Sequence, residues 1–119
     1  MKVLAIGSRK WKKHEVIARV ITRVHKRTPI DLLVEIGRSG AETMIYDVGL
    51  LLGVQVATFH PNPYRHQEDA DLICLLRAFR IIKPDRVLIF NERPIKQKAM
   101  KELIRAAKKS KVKVRVVTK

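Results

Sequence analysis

The sequence predicts an α/β fold: a single Rossmann-like domain with a doubly wound parallel sheet of five strands and four helices in three αβα layers. Short apolar runs alternate with longer segments of helical periodicity along the 119 residues, which is the order of βαβ units. Four of the five runs are apolar on both faces, as in strands covered by helices on two sides. The length suits one core, so residues 1–119 are expected to form one domain.

The first half of the chain is predicted to contain three strands and two helices. A single apolar stripe that includes Val16, Val20 and Val24 indicates the first helix, and Gly53 is a suitable stop for the second. The predicted elements are a strand at Lys2–Ile6, a helix from Trp11 to about His25, a strand at Asp31–Ile36, a helix from about Ala41 to Leu52 and a strand at Val54–Phe59.

The second half begins with a proline-containing loop at residues 60–66, which excludes regular structure. The elements expected after it are a helix at residues 68–83, a strand at Arg86–Phe90, a helix from about Ile95 to Lys109 and a strand at Lys111–Val117. This last strand alternates basic and apolar residues, which is typical of an edge strand half open to water.

The charge is strongly positive and unevenly distributed. The chain has 26 Lys and Arg against 11 Asp and Glu, a formal charge of +15, and the bases concentrate in residues 1–27 and 95–119. Such termini raise the affinity for polyanions, and they equally serve solubility. A single cysteine, Cys74, excludes an internal disulfide and a cysteine zinc site, and the histidines have no metal-ligand spacing.

The sequence contains neither a signal peptide nor a run long enough to cross a membrane. We therefore expect a soluble cytoplasmic protein with no membrane partner and no metal. No cofactor is certain, and the oligomeric state is left open, a homo-oligomer included.

Polar residues follow the strands where a parallel sheet binds its ligands. In the turn after the second strand, Gly37 and Gly40 are expected to make room for a phosphate that Arg38, Ser39 and Arg9 would hold. Valine at position 40 is expected to abolish binding and spare the fold. A plain strand-to-helix turn is the alternative reading. The further strand-end candidates are Gly7, Ser8, Glu42, His60, Asn62, Asn91 and Arg93.

Several of these residues have a structural alternative. Glu42 is expected to cap its helix, with a contact to a ribose hydroxyl as the less favoured role. His60 beside Pro61 suits loop packing. Trp11 and Tyr64 are candidates either to stack on a base or to anchor the packing of their segments.

Four segments, "VLAIGSRKW", "DLLVEIGRSGAE", "VATFHPNPY" and "LLRAFRIIKPDRVLIF", resemble successive blocks of the DUF2493 (YspA-like) proteins, which belong to the SLOG group of Rossmann-like nucleotide-sensing folds. The resemblance implies nucleotide binding at the strand ends, with Gly7, Ser8 and Arg9 in the first block and Arg77 before the fourth strand. One departure stands out. The family's glycine-threonine turn after the fourth strand is replaced here by "NERPIKQK", so a second phosphate site is expected to be missing.

Three functions are considered from the sequence, and a small non-catalytic protein that binds a partner protein by its basic face stays open beside them. The first is non-catalytic or sensory binding of a nucleotide or another phosphorylated small molecule. The second is DNA binding through the basic termini, with a surface formed by Lys96, Lys98, Lys101, Arg105, Lys108 and Lys109. The third, implied by related phosphoribohydrolases, is N-glycosidic hydrolysis with Glu42 and Glu92 as acid and base. An enzyme is the less favoured reading.

Overall fold

The computed structural model describes residues 1–62 and 69–118. The strands and helices of this part of the chain are β1 (Lys2–Gly7), α1 (His14–Arg27), β2 (Leu32–Glu35), α2 (Ala41–Leu51), β3 (Val56–Thr58), α3 (Ala70–Ile82), β4 (Arg86–Phe90), α4 (Lys98–Lys109) and β5 (Lys113–Val117). The predicted number and order of elements are confirmed. Tyr64, the rest of the predicted loop up to residue 66 and the predicted start of α3 at Glu68 lie outside the described residues.

The five strands form one parallel sheet in the order β3-β2-β1-β4-β5. The first strand lies between β2 and β4, so the chain builds the sheet outward in one direction from β1 and then in the other. The doubly wound arrangement predicted from the sequence is confirmed. In such sheets the ligand crevice opens where the order reverses, here beyond the carboxyl ends of β1 and β4.

Each face of the sheet is covered by two helices. On β1, Val3 and Ala5 join the apolar cluster under α1 and α2, while Leu4 and Ile6 join the cluster under α3 and α4. Successive side chains of a strand point to opposite faces, so a strand that is apolar throughout must be covered on both. The apolar stripe predicted for α1 is buried in the first of these clusters.

Trp11 lies before α1 rather than inside it, because the helix begins at His14. Its side chain is buried, its indole N–H donates to the carbonyl of Lys13 (2.9 Å), and its ring meets the edge of Phe90 at a centroid distance of 5.8 Å. Of the two roles considered for Trp11, the structure supports the packing anchor.

The C-terminal elements are shorter than the sequence suggests. The last helix begins at Lys98 instead of Ile95, and β5 begins at Lys113 because Lys111 has a φ of 59° in the preceding turn. The edge position of β5 is confirmed, with Lys113 and Arg115 exposed. Within residues 1–62 and 69–118 no helix combines the length and apolar character that crossing a bilayer requires.

Candidate functional site

The loops after β1 and β2 meet at the point where the sheet order reverses. The amide of Ser8 donates to the carbonyl of Phe90 at the end of β4 (2.9 Å), and the carbonyl of Ser8 accepts from the amide of Ala41 at the start of α2 (3.1 Å). A side chain at Gly7 would collide with Ala41 and with the Phe90 carbonyl. Glycine at this position therefore allows α2 to begin directly against β1 and β4.

The two glycines of the turn before α2 are accounted for by the chain's own atoms. Gly37 and Gly40 have φ angles of +69° and +83°, which residues with a side chain rarely adopt. A Cβ at Gly37 would lie 2.8 Å from Nδ1 of His60 and 2.9 Å from Cγ2 of Thr58, and one at Gly40 would collide with the backbone of Arg9. The expectation that valine at position 40 spares the fold is therefore wrong.

Arg38 is the centre of the site. Its guanidinium donates to Oε1 of Glu42 from Nε (3.0 Å) and Nη2 (2.8 Å), to the carbonyl of Gly7 (2.8 Å), and from Nη1 to Oδ2 of Asp71 (2.9 Å). Its side chain is 10% exposed. Burial lowers the pKa of Arg38, but the charges of Glu42 and Asp71 outweigh it and raise the pKa, so the group stays cationic.

Arg9 converges on the same carboxylate oxygen from the loop after β1. Its Nη2 lies 3.4 Å from Oδ2 of Asp71, on the first turn of α3. The side chain of Arg9 is 61% exposed and that of Asp71 27%. Arg9, Arg38, Glu42 and Asp71, here called the strand-end cluster, thus place two guanidinium groups around one oxyanion.

Glu42 is the most buried member of the strand-end cluster. Its side chain is 0% exposed, and within the described residues its Oε2 has no hydrogen-bond partner. Burial raises the pKa of Glu42, and the positive charge of Arg38 opposes this rise. The two roles predicted for Glu42, a helix cap and a contact to a ribose hydroxyl, did not include the observed one, in which its carboxylate accepts two hydrogen bonds from Arg38.

Two acidic residues at this edge were missed by the sequence analysis. Asp71 was not among the predicted site residues, and its partners, Arg9 and Arg38, come from loops distant in sequence. Glu35, at the end of β2, is 2% exposed, accepts from the hydroxyl of Thr58 (2.5 Å) and accepts from the amide of Gly37. The glutamate within the otherwise apolar run "LLVEI" could have indicated this site, because a carboxylate in a buried strand needs hydrogen-bond donors nearby.

The remaining predicted residues lie outside the strand-end cluster, in different environments. Asn91 is buried, and its amide nitrogen donates to the carbonyl of Arg93 (2.6 Å), which holds the loop after β4. Ser8 accepts a hydrogen bond at Oγ from the amide of Lys10 (3.0 Å). The exposed residues of the predicted set are Ser39, His60, Asn62, Arg77, Glu92 and Arg93.

The predicted basic surface around α4 is exposed to solvent. Spacings of three and four residues place Lys98, Lys101, Arg105 and Lys108 along one side of this helix. Arg105 is paired with Glu102 on its own helix (2.8 Å), and Lys98 lies 4.0 Å from Asp69. These basic side chains are therefore exposed to solvent along one side of α4.

Cys74 lies on α3, one turn after Asp71, in the core beneath the strand ends. Burial raises the pKa of its thiol to about 11, and the negative charge of Asp71 adds to the rise. At about pH 8 the thiolate population is then about two orders of magnitude below that of an ordinary cysteine. The thiol is an inert core group and no candidate nucleophile.

We expect Cys74 in the native protein to react with an aromatic disulfide reagent at least about a hundredfold more slowly than the same residue in urea. The release of thionitrobenzoate measures both rates. The chain has one cysteine, so the signal comes from one group. Complete modification of the folded protein at the rate of the urea-unfolded chain would contradict this environment.

Two comparisons place the chain among known proteins. Residues 1–66 match the family model described as the YspA, cpYpsA-related SLOG family. A crystal structure of UDP-GlcNAc 2-epimerase from Neisseria meningitidis bound to UDP-GlcNAc superimposes with a TM-score of 0.58 at 22% identity, over 98% of this chain and 32% of the epimerase. At this identity the likeness is one of fold, and the chain spans about a third of that enzyme. No curated protein matches the chain in sequence.

Proposed function

The chain belongs to the YspA, cpYpsA-related SLOG family, and from this membership we propose that it binds a phosphate-bearing, nucleotide-like ligand at the carboxyl ends of its strands. The binding is proposed to be sensory rather than catalytic. The observation that carries the proposal is the convergence of Arg9 and Arg38 on a single oxygen of Asp71, at 3.4 Å and 2.9 Å.

In this proposal a phosphate of the ligand takes the place of the Asp71 carboxylate. Guanidinium forks match phosphate and carboxylate oxygens in similar geometry, so a site that holds one suits the other. With Asp71 in place the strand-end cluster has two positive and two negative side chains. The side chain of Asp71 is already partly exposed to water. When it rotates fully into solvent, the cluster keeps one uncompensated positive charge, which attracts the incoming anion.

The binding role has more support than the hydrolytic one. A pair of carboxylates that acts on one bond must have both members in contact with the substrate. Glu42 is fully buried against Arg38, whereas Glu92 is exposed in the loop after β4. The phosphoribohydrolase-like reaction therefore stays the third hypothesis.

A thermal-shift titration at constant ionic strength tests the proposal. The panel contains ATP, NAD, ADP-ribose, cyclic nucleotides and a short single-stranded oligonucleotide. We expect saturable stabilisation by one small nucleotide that persists at moderate salt. Arg9→Met is expected to weaken that binding about tenfold, and Asp71→Asn to strengthen it about three- to tenfold because the internal competitor loses its charge. Lys10→Met is the matched control, an exposed base next to Arg9.

Three results would contradict the proposal. One is the absence of saturable stabilisation by the small nucleotides in both the wild type and Asp71→Asn. Another is an equal loss of nucleotide affinity in Arg9→Met and Lys10→Met, which would indicate that the nucleotide is attracted by the general positive charge of the protein. Stabilisation by the oligonucleotide alone, lost on adding salt, would move the function to the basic termini.

A further inference from the structure

A groove of about 520 Å³ opens on the side of the molecule away from the strand-end cluster. It lies between the C-terminal halves of α3 and α4, above the amino-terminal ends of β4 and β5. Its volume falls within the range of about 300–1,000 Å³ that is usual for ligand sites. The residues that line it are Leu76, Phe79, Arg80, Lys83, Pro84, Ala106, Ser110 and Val112.

The floor of the groove is apolar and incompletely covered. Leu76, Phe79 and Val112 are all half-buried, and Phe79 and Val112 also pack against the core. Apolar side chains gathered in a concave surface gain stability when a second apolar surface removes them from water.

The rim of the groove is positively charged. Residues 76–86 and 104–113, the two segments that border it, contain nine basic residues and one acidic residue, Asp85. That carboxylate accepts a hydrogen bond from the amide of Lys2 (2.8 Å), which engages one of its oxygens. Arg80 and Lys83 line the groove directly and are exposed. The potential at the rim therefore favours an acidic occupant.

We propose that this groove is a docking site for an acidic amphipathic helix of a partner protein. Its apolar face would cover Leu76, Phe79 and Val112, and its carboxylates would pair with Arg80 and Lys83. Two neighbouring helices with an apolar seam form the kind of surface into which an amphipathic helix lays its apolar face. A nucleic-acid backbone would meet the positive rim and leave the apolar floor uncovered, and a membrane surface is too flat to reach a concave floor.

Fluorescence anisotropy with a labelled, designed peptide tests the proposal. The probe is an amphipathic helix with leucine on one face and glutamate on the other, compared with a peptide of equal charge in which serine replaces leucine. We expect micromolar binding of the first peptide and at least about tenfold weaker binding of the second. The same buffer is used for a single-stranded oligonucleotide and for vesicles of phosphatidylserine and phosphatidylcholine.

Two variants locate the binding on the protein. Ala106→Phe fills the groove, and Arg80→Glu reverses the charge of its rim; each is expected to weaken peptide binding at least about fivefold. Arg23→Glu is the control, because Arg23 is an exposed base on α1, on the other face of the sheet. We expect this control to change the affinity less than twofold, as a remote charge should. Circular dichroism confirms that each variant is folded.

The proposal is overturned if the leucine peptide does not bind, or if the serine peptide binds equally well. An equal loss of peptide affinity in Arg23→Glu and Arg80→Glu would mean that the peptide is bound through the net charge of the protein rather than at the groove. Loss of oligonucleotide or vesicle binding on Ala106→Phe, without an effect on the peptide, would assign the groove to those partners instead. None of these outcomes depends on nucleotide binding at the strand ends.

Discussion

Arg38→Met should lower the free energy of unfolding by about 3–5 kcal/mol, because it leaves the carboxylate of Glu42 buried without a counter-charge. The side chains of Arg38 and Glu42 are 10% and 0% exposed, so water cannot replace the lost partner. The carbonyl of Gly7 and the carboxylate of Asp71 lose donors as well. Urea unfolding at neutral pH, followed by circular dichroism, measures the change.

The double variant Arg38→Met/Glu42→Leu separates the effect of charge from that of shape. Replacing both members of a buried ion pair with apolar groups is often close to neutral, so we expect the double variant to be at least about 2 kcal/mol more stable than Arg38→Met. If the single and double variants are equally unstable, the loss comes from packing, and the buried charge of Glu42 is not its cause.

The pH dependence of Arg38→Met has a predicted sign. Burial already raises the pKa of Glu42 above its ordinary value of 4.5, and removing Arg38 removes the opposing charge. A carboxyl whose pKa is higher in the folded than in the unfolded state stabilises the fold in its protonated form, and this contribution is lost as the pH rises through the folded pKa. The free energy of unfolding of Arg38→Met should therefore lie closer to that of the wild type at about pH 5 than at about pH 7.

Gly40→Ala should cost about 3 kcal/mol of stability. At φ +83° and ψ −125°, Gly40 has a conformation that costs an alanine about 1–3 kcal/mol. The new methyl group would also collide with the backbone of Arg9, which cannot turn away as a flexible side chain could. Chemical denaturation under the conditions used for Arg38→Met measures the effect.

Gly53→Ala is the control for this prediction. Gly53 also has a positive φ, +72°, but a Cβ there would have no atom within 4 Å. Only the conformational cost applies, so we expect a loss of about 1–2 kcal/mol. Equal losses for Gly40→Ala and Gly53→Ala would show that the contact between Gly40 and Arg9 is unimportant for stability.

The parts of the fold that depend on local patterns were predictable. The strand at Arg86–Phe90 was placed with its observed bounds because a proline and an aspartate precede an uninterrupted apolar run. The edge position of β5 followed from its alternating basic residues. The start of α1 was predicted less accurately: the helix was expected from Trp11 but begins at His14, and Trp11 packs before it against Phe90, a residue distant in sequence.

The chemistry of the candidate site was less predictable. The sequence predicted that the glycines and arginines after β1 and β2 would lie together, and the structure brings these loops into contact, because the loops that follow parallel strands meet at one end of a sheet. The ion pair between Arg38 and Asp71 was not predicted, since the two residues are 33 positions apart and only the path of α3 brings them together. Glycine spacing likewise could not reveal that the backbone of Arg9 lies where a side chain at position 40 would lie.

The ion pair between Arg38 and Asp71 has a consequence for how a sensor of this design would be tuned. It ties the turn before α2 to the first turn of α3, and so joins the helix layers on opposite faces of the sheet. Under the proposed function, an incoming anion would have to break this ion pair, and the free energy required would reduce its observed affinity. The strength of this one contact would then set the ligand concentration at which the protein responds. A substitution at position 71 would shift that threshold and leave Arg9 and Arg38 unchanged.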